Sequence, residues 1–211
     1  MHARHTWVNP AYSGLRAELW KPRLWANTIS NSRRNRFTQC QQRWAWEDLH
    51  GLVPKGEAPA LTLGKLVHSG LAMGYAAGLS DPVGIRKAVG QELVAQSYDE
   101  VSRTDGDWDT FAPLVQQASR ICTRHFDRWR EHDLAEWEPI ATEVPFRLAL
   151  PMPGGSGRSS RWDFTGVMDL VIRQRATGLW LVVDHKTWGG SHRDAFSSEL
   201  MTETARVGYV W

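Results

Sequence analysis

The sequence predicts an α/β domain in which an antiparallel or mixed sheet is flanked by helices. Three observations predict it. Helical stretches dominate residues 1–135 from about Ser30 onward. Three strand-like segments then follow one another from Glu143 to Thr187. A last helical stretch runs from about Ser197 to Trp211. Strands that follow each other without intervening helices favour antiparallel or mixed pairing. A length of 211 residues suits one such domain with a substantial core. It divides into a mainly helical part, 1–135, with the sheet and its following helix in 136–211.

The elements follow in order. Residues 1–28 are interrupted by Pro10 and Pro22 and read as irregular or as a short helix. Ser30 or Ser32 can cap a helix running through Arg33, Arg34 and Arg36 towards Cys40. A second helix covers about Gln41–Leu49, with Gly51 able to end it, and Pro54–Pro59 is a loop. Leu63, Leu66, Val67 and Leu71 then show helical spacing as far as Ala77, where Gly78 and Asp81-Pro82 stop it. Another helix extends from Val83 to about Val101. Asp107 or Asp109 begins a strongly amphipathic one, with Phe111, Leu114, Val115, Ala118, Ile121, Cys122, Phe126 and Trp129 on one face.

After His132 the pattern changes. Glu143 to Leu150 alternates like a strand, and Pro151–Ser160 is a Pro/Gly/Ser-rich loop. Strands at about Arg161–Arg173 and Leu179–Thr187 are joined by Gln174–Gly178. The chain stops at Trp211 after an apolar Gly-Tyr-Val-Trp with no capping signal, which reads as a C-terminal truncation.

Bulk composition narrows the function classes. A formal charge of +2 is only mildly basic, so any electropositive surface must come from local clustering. Twelve tryptophans are many for this length, and they serve as core, groove lining or base-stacking platforms. Cys40 and Cys122 lie far apart with no second pair. A disulfide framework, a four-cysteine zinc site and an iron–sulfur cluster within these residues are therefore excluded. Reduced thiols in a cytoplasmic protein are the simplest reading. The N-terminus lacks the apolar run of a signal peptide, and no stretch approaches membrane-spanning length.

The chemistry gathers in one hairpin. Phe164-Thr-Gly-Val-Met-Asp169 and Val182-Val-Asp184-His-Lys186-Thr are apolar strands that each carry an acid, followed by a lysine. Asp184 and Lys186 share a strand face about 7 Å apart, while the His185 side chain points the other way. An even-length connection puts Asp169 opposite Asp184 on that face, and a one-residue slip separates them. Two facing acids destabilise a ladder unless compensated. Mg²⁺ or Mn²⁺, which take carboxylate, carbonyl and water oxygens, resolve the conflict and leave room for a phosphate. Lys186 can then orient or deprotonate the attacking water, or offset charge on the phosphorus oxygens. An Asp-x-Lys alone also reads as an ion pair at a strand end. The preceding Gly-x-x-Asp and the two apolar strands are what raise it above that.

These residues resemble the PD-(D/E)xK nuclease superfamily, and within it the RecB-like exonucleases. Gly166-Val-Met-Asp169 is similar to the family's Gly-x-x-Asp strand, and Asp184-His-Lys186-Thr to its Asp-Tyr-Lys-Thr strand. Gly64-Lys-Leu-Val-His68 is similar to an upstream Gly-x-x-x-His helix, and Ser32–Gly51 to an N-terminal helix pair. The resemblance spans roughly residues 30–211 and implies a restriction-endonuclease-like core. It implies that His68, Asp169 and Asp184 are metal ligands, that the His185 carbonyl completes the coordination, and that Lys186 is catalytic. Glu143 stands where relatives often carry a glutamate, either solvated or supporting a ligand. Gly64, one turn before His68, would let the helix approach the sheet closely.

Two departures stand out. The family's Gln-x-x-x-Tyr, a substrate contact, is represented by Tyr209 with Ala205 in the glutamine position. Three downstream cysteines that accompany the upstream one in many relatives are absent, leaving Cys40 without a cluster.

Arg33, Arg34, Arg36, Arg43, Trp44 and Trp46 interleave guanidinium and aromatic groups, a mixture that binds phosphates and stacks bases without reading sequence. A solvated helix face with buried tryptophans explains them as well. Nothing resembles a sequence-reading module. The expectation is therefore a Mg²⁺- or Mn²⁺-dependent, sequence-independent DNA exonuclease of recombination, repair or phage replication. The alternative is a DNA-binding protein of the same fold with impaired catalysis.

Overall fold

The computed structural model describes residues 7–8, 10–11, 27–52, 58–104, 108–151, 154 and 157–187. Two short strands, β1 (Trp7–Val8) and β2 (Thr28–Ile29), precede helices α1 (Asn31–Gln39) and α2 (Gln41–Trp44). A π-helical turn, Ala45–Leu49, continues α2. Three long helices follow: α3 (Pro59–Ala76), α4 (Pro82–Thr104) and α5 (Trp108–Glu136). Strands β3 (Trp137–Pro151), β4 (Arg158–Gln174) and β5 (Trp180–Val183) complete the described chain. The sheet is five-stranded and mixed, ordered β1-β3-β4-β2, with β5 also on β4. β1 runs antiparallel to β3, β2 parallel to β4, and β5 antiparallel to β4. The α/β class and the mixed, helix-flanked sheet are thus as the sequence implies. The helix expected near residues 197–211 lies outside the described residues.

Contacts divide the chain into two compact units. The first comprises residues 1–14, 56–144 and 168–187. Its core is built from Leu66, Val67, Leu71 and Tyr75 on α3, and Ile85, Val89 and Leu93 on α4. Ala118, Cys122 and Phe126 come from α5, and Leu170 and Ile172 from alternate positions of β4. These are the apolar stripes that 3.6- and 2-residue periodicities select. Fully burying each large aliphatic side chain contributes about 1.5–3 kcal/mol.

Helices α3 and α5 meet closely because Gly70 and Gly74 face them. A Cβ at Gly70 would stand 2.8 Å from Cys122 Sγ, and one at Gly74 would collide with the Phe126 ring. At Gly64, the close-approach position inferred from sequence, a Cβ would sit 3.4 Å from Thr187 Oγ1, an ordinary contact. The positions on α3 where an added side chain would collide are thus Gly70 and Gly74, facing α5, and not Gly64.

Several boundaries differ from the sequence reading. α5 continues to Glu136 and β3 begins at once at Trp137, six residues before Glu143. Arg175 stabilises this loopless junction: its N–H donates to Glu136 O at 2.8 Å, and its Nε to the Leu134 and Trp137 carbonyls. The expected change of character after His132 marks the fraying of apolar spacing, not the end of the helix. The β4–β5 turn has Gly178 at φ +72, and Gln174 N–H donates to Leu179 O at 2.8 Å. β5 ends at Val183, so Asp184–Thr187, expected in the strand, leave the ladder.

The second unit comprises residues 15–55, 145–167 and 188–211. Ser30 caps α1 by accepting from Arg33 N, and the Cys40 thiol caps α2 by accepting from Arg43 N. Gly51, at φ +68, follows the π turn as the sequence suggests. On β3 and β4 of this unit, Phe146 packs on Phe164 and Arg147 pairs with Asp163.

Candidate metal centre

The β4–β5 register pairs Leu170 with Val183 and Arg173 with Trp180. One further step sets Asp169 across from Asp184, the register that brings both acids to one face. The two carboxylates interact: the Asp169 charge opposes ionisation of Asp184. Asp184 lies just past the last ladder pair, and Lys186 Nζ is 3.0 Å from its Oδ2. From α3, His68 Nδ1 comes to 3.3 Å from Asp169 Oδ2. The His185 N–H donates to the same oxygen at 2.8 Å.

Glu143, expected from sequence to be either solvated or supporting a ligand, stands with two of the proposed ligands. His68, Glu143 and Asp169 each offer a ligand atom, and these atoms lie within 4.8 Å of one another. Glu143 is buried, and its backbone sits at φ 49, in the left-handed region that a non-glycine residue seldom adopts. Such a conformation costs of order 1–3 kcal/mol and persists where the surroundings over-determine it. Strand alternation places a side chain on a face but cannot foresee a left-handed residue that redirects it.

The electrostatics follow from burial and charge. Burial opposes ionisation of Asp169, but the His68 hydrogen bond and charge and the His185 N–H outweigh it and hold the carboxyl low. Asp184 moves the other way: burial raises it, Lys186 opposes, and Asp169 adds to the rise. Burial lowers His68, yet Asp169 and the Glu143 charge leave it raised overall. His185 is pushed down to about 4, first by burial and then by the neighbouring histidines. Its ring packs on Tyr75, His125 and His68.

Three acids thus share a half-buried cluster with one imidazole and one ammonium. Carboxylate oxygens with a single imidazole nitrogen suit a hard divalent cation, and the surplus negative charge is what such an ion would balance. The donor set therefore fits a resident metal. No other group of three or more His, Cys, Asp or Glu side chains among the described residues is placed to hold one.

The arginine-rich helix pair is built differently. Arg33 Nε donates to Asp48 at 3.0 Å, and its Nη1 to Thr28 O at 2.7 Å. Arg36 bonds both Asp48 oxygens and pairs with Glu47, and Arg43 Nε reaches Glu47 at 2.6 Å. Trp44 meets Phe37 edge-on at 5.2 Å, whereas Trp46 is exposed. Arg34 Nη2 is buried without a hydrogen-bond partner among the described residues. Tyr209 lies outside the described residues. Cys40 is an exposed free thiol and Cys122 a buried one, whose burial pushes it up to about 12.

A mixed sheet with an acid cluster at the end of one hairpin is consistent with a restriction-endonuclease-like core. A family model for the PD-(D/E)XK nuclease superfamily matches residues 28–204, and the chain belongs to that superfamily. Nucleases of this superfamily generally use divalent metals and act on nucleic acid. No curated protein matches the chain. No helix among the described residues is long and apolar enough to cross a membrane.

Proposed function

We propose that the protein is a Mg²⁺- or Mn²⁺-dependent deoxyribonuclease that hydrolyses DNA phosphodiester bonds as a sequence-independent exonuclease. The observation that carries this reading is the convergence of His68, Glu143 and Asp169 within 4.8 Å, beside the Asp184–Lys186 pair. His68, Asp169, Asp184 and the His185 carbonyl would hold the metal, and Glu143 joins them as a further oxygen donor. When bound, a divalent cation polarises the phosphate and favours hydroxide at neutral pH.

The chain's own residues do the rest. The His185 N–H and His68 keep Asp169 ionised and oriented, so that its remaining oxygen is presented without rotamer freedom. Asp184 anchors Lys186 at the exposed rim of the acid cluster. An ammonium so placed suits neutralising charge that builds on non-bridging phosphate oxygens. Arg34, Arg43, Trp44 and Tyr209 are proposed substrate contacts, with Arg33 released for that role only if DNA displaces Asp48. The sequence carries no recognisable sequence-reading motif, which favours cleavage without site preference; its resemblance to RecB-like exonucleases is what suggests work in recombination, repair or phage replication.

The test is cleavage of end-labelled linear and closed circular DNA with Mg²⁺, Mn²⁺ or chelator. Metal-dependent loss of linear substrate alone is expected. Asp184→Ala and Lys186→Ala should each lower the rate by about 10²–10³-fold while the fold survives. Wild-type protein that binds DNA and yields no product with either metal would instead make it a binding protein of this fold.

A further inference from the structure

Behind the acid cluster lies a buried polar group that the proposed chemistry does not use. The Tyr75 hydroxyl on α3 donates to Asp133 Oδ2 at 2.7 Å and lies 3.0 Å from His125 Nε2. Both partners are on α5, and Tyr75 and Asp133 are 1% and 2% exposed. Burying a carboxylate is costly unless hydrogen bonds compensate it. Here the compensation comes from Tyr75 and from His132, whose Nδ1 is 3.2 Å from Asp133 Oδ1.

The face of Tyr75 is in use too. Its ring stacks on the His185 imidazole, with centroids 5.9 Å apart and planes 24° from parallel. The His125 ring stands at 89° to the same imidazole, at 5.8 Å. The His185 ring thus meets the Tyr75, His125 and His68 rings, and Tyr75 is held by its hydroxyl contacts to two residues of α5.

This matters because of where the ladder stops. The last β4–β5 pair is Leu170 with Val183, so no strand pairing places the segment that carries Asp184 and Lys186. Two attachments of His185 contribute instead: its N–H on Asp169 and its ring on Tyr75, His125 and His68. Loosening the ring's seat weakens the hold that keeps the segment in register with Asp169.

We infer that Tyr75, braced by Asp133 and His125, is a positioning residue that sets His185 and, through it, Asp184 and Lys186. A misplacement of about 1 Å in a catalytic constellation can lower a rate 10²-fold. The activity part of this inference rests on the nuclease reading, and the structural part does not.

The experiment compares wild type and Tyr75→Phe, which removes only the hydroxyl. DNA cleavage is measured alongside amide exchange of the peptide covering Val183–Thr187. Expected are a kcat lower by about tenfold or more with KM within about twofold, and faster exchange at 183–187 with α3 and α5 unchanged. Unchanged kcat together with unchanged exchange would overturn the inference. Equally accelerated exchange throughout α3 and α5 would overturn it too, since Tyr75 would then act on global stability alone. Should Tyr75→Phe fail to fold, His185→Ala serves, because it keeps the N–H and removes the stacked ring, and the same two outcomes apply. If the wild type does not cleave DNA, the nuclease reading fails, and the exchange measurement still decides the positioning role.

Discussion

Two charge clusters in this chain are built on opposite terms. In the helix pair, Arg33, Arg36 and Arg43 meet Asp48 and Glu47, and each named guanidinium has an acid within 3.2 Å. At the hairpin end, Asp169, Asp184 and Glu143 are gathered around one lysine and one imidazole. In the first cluster each acid is held by two arginines, Asp48 by Arg33 and Arg36 and Glu47 by Arg36 and Arg43, and the pairs tie α1 to the π turn. The second carries surplus negative charge and a backbone residue at φ 49. Acids matched by guanidinium groups hold a fold together, whereas a half-buried surplus of carboxylates calls for a cation from outside the chain.

The largest effects are expected where the imbalance lies. Asp169→Ala should abolish metal-dependent cleavage, by about 10³-fold or more in rate assays. Divalent metal should raise the melting temperature of the wild type, by the equivalent of about 2.7 kcal/mol at a hundredfold excess over Kd. Glu143→Gln should do the reverse of an ordinary core mutation: with chelator present it melts no lower than wild type, because one like charge is gone, yet it loses most of the metal-induced rise. A metal-induced shift as large in Glu143→Gln as in wild type would remove Glu143 from the site.

The balanced cluster should respond through stability. Asp48→Ala leaves Arg33 and Arg36 without their shared acceptor and should cost about 1–3 kcal/mol in denaturant unfolding. Arg43→Ala, at an exposed pair, should leave the unfolding midpoint within error. A loss of DNA affinity in Arg43→Ala without a stability change would assign that arginine to substrate. The smallest test concerns thiols: Cys40 should react promptly with an exposed-thiol reagent, and Cys122, buried and pushed up to about 12, only on unfolding.

Much of this was legible in the sequence because it depends on local spacing. The sequence left the facing of Asp169 and Asp184 open, because it turned on the parity of the connection, and the register Leu170↔Val183 supplies it. The helices followed from apolar periodicity, and Ser30 and Gly51 bounded their elements as turn and cap chemistry requires. What was hidden depends on residues distant in the chain. Asp48 answers Arg33 across fifteen positions, and Asp133 answers Tyr75 across fifty-eight. Glu143 was noticed only through the family resemblance, and neither its burial beside His68 and Asp169 nor its left-handed backbone is encoded in a spacing pattern. The glycines that matter for helix approach, Gly70 and Gly74, are identified by the Cys122 and Phe126 side chains opposite them.

The central claim is that His68, Glu143 and Asp169, with Asp184 beside them, form a divalent-metal site. Titration of the wild type and of Asp169→Ala with Mn²⁺, followed by calorimetry, tests it most directly. Saturable binding to the wild type that disappears in the folded Asp169→Ala protein is the predicted result. Equal binding by both proteins, or none by the wild type, would contradict it.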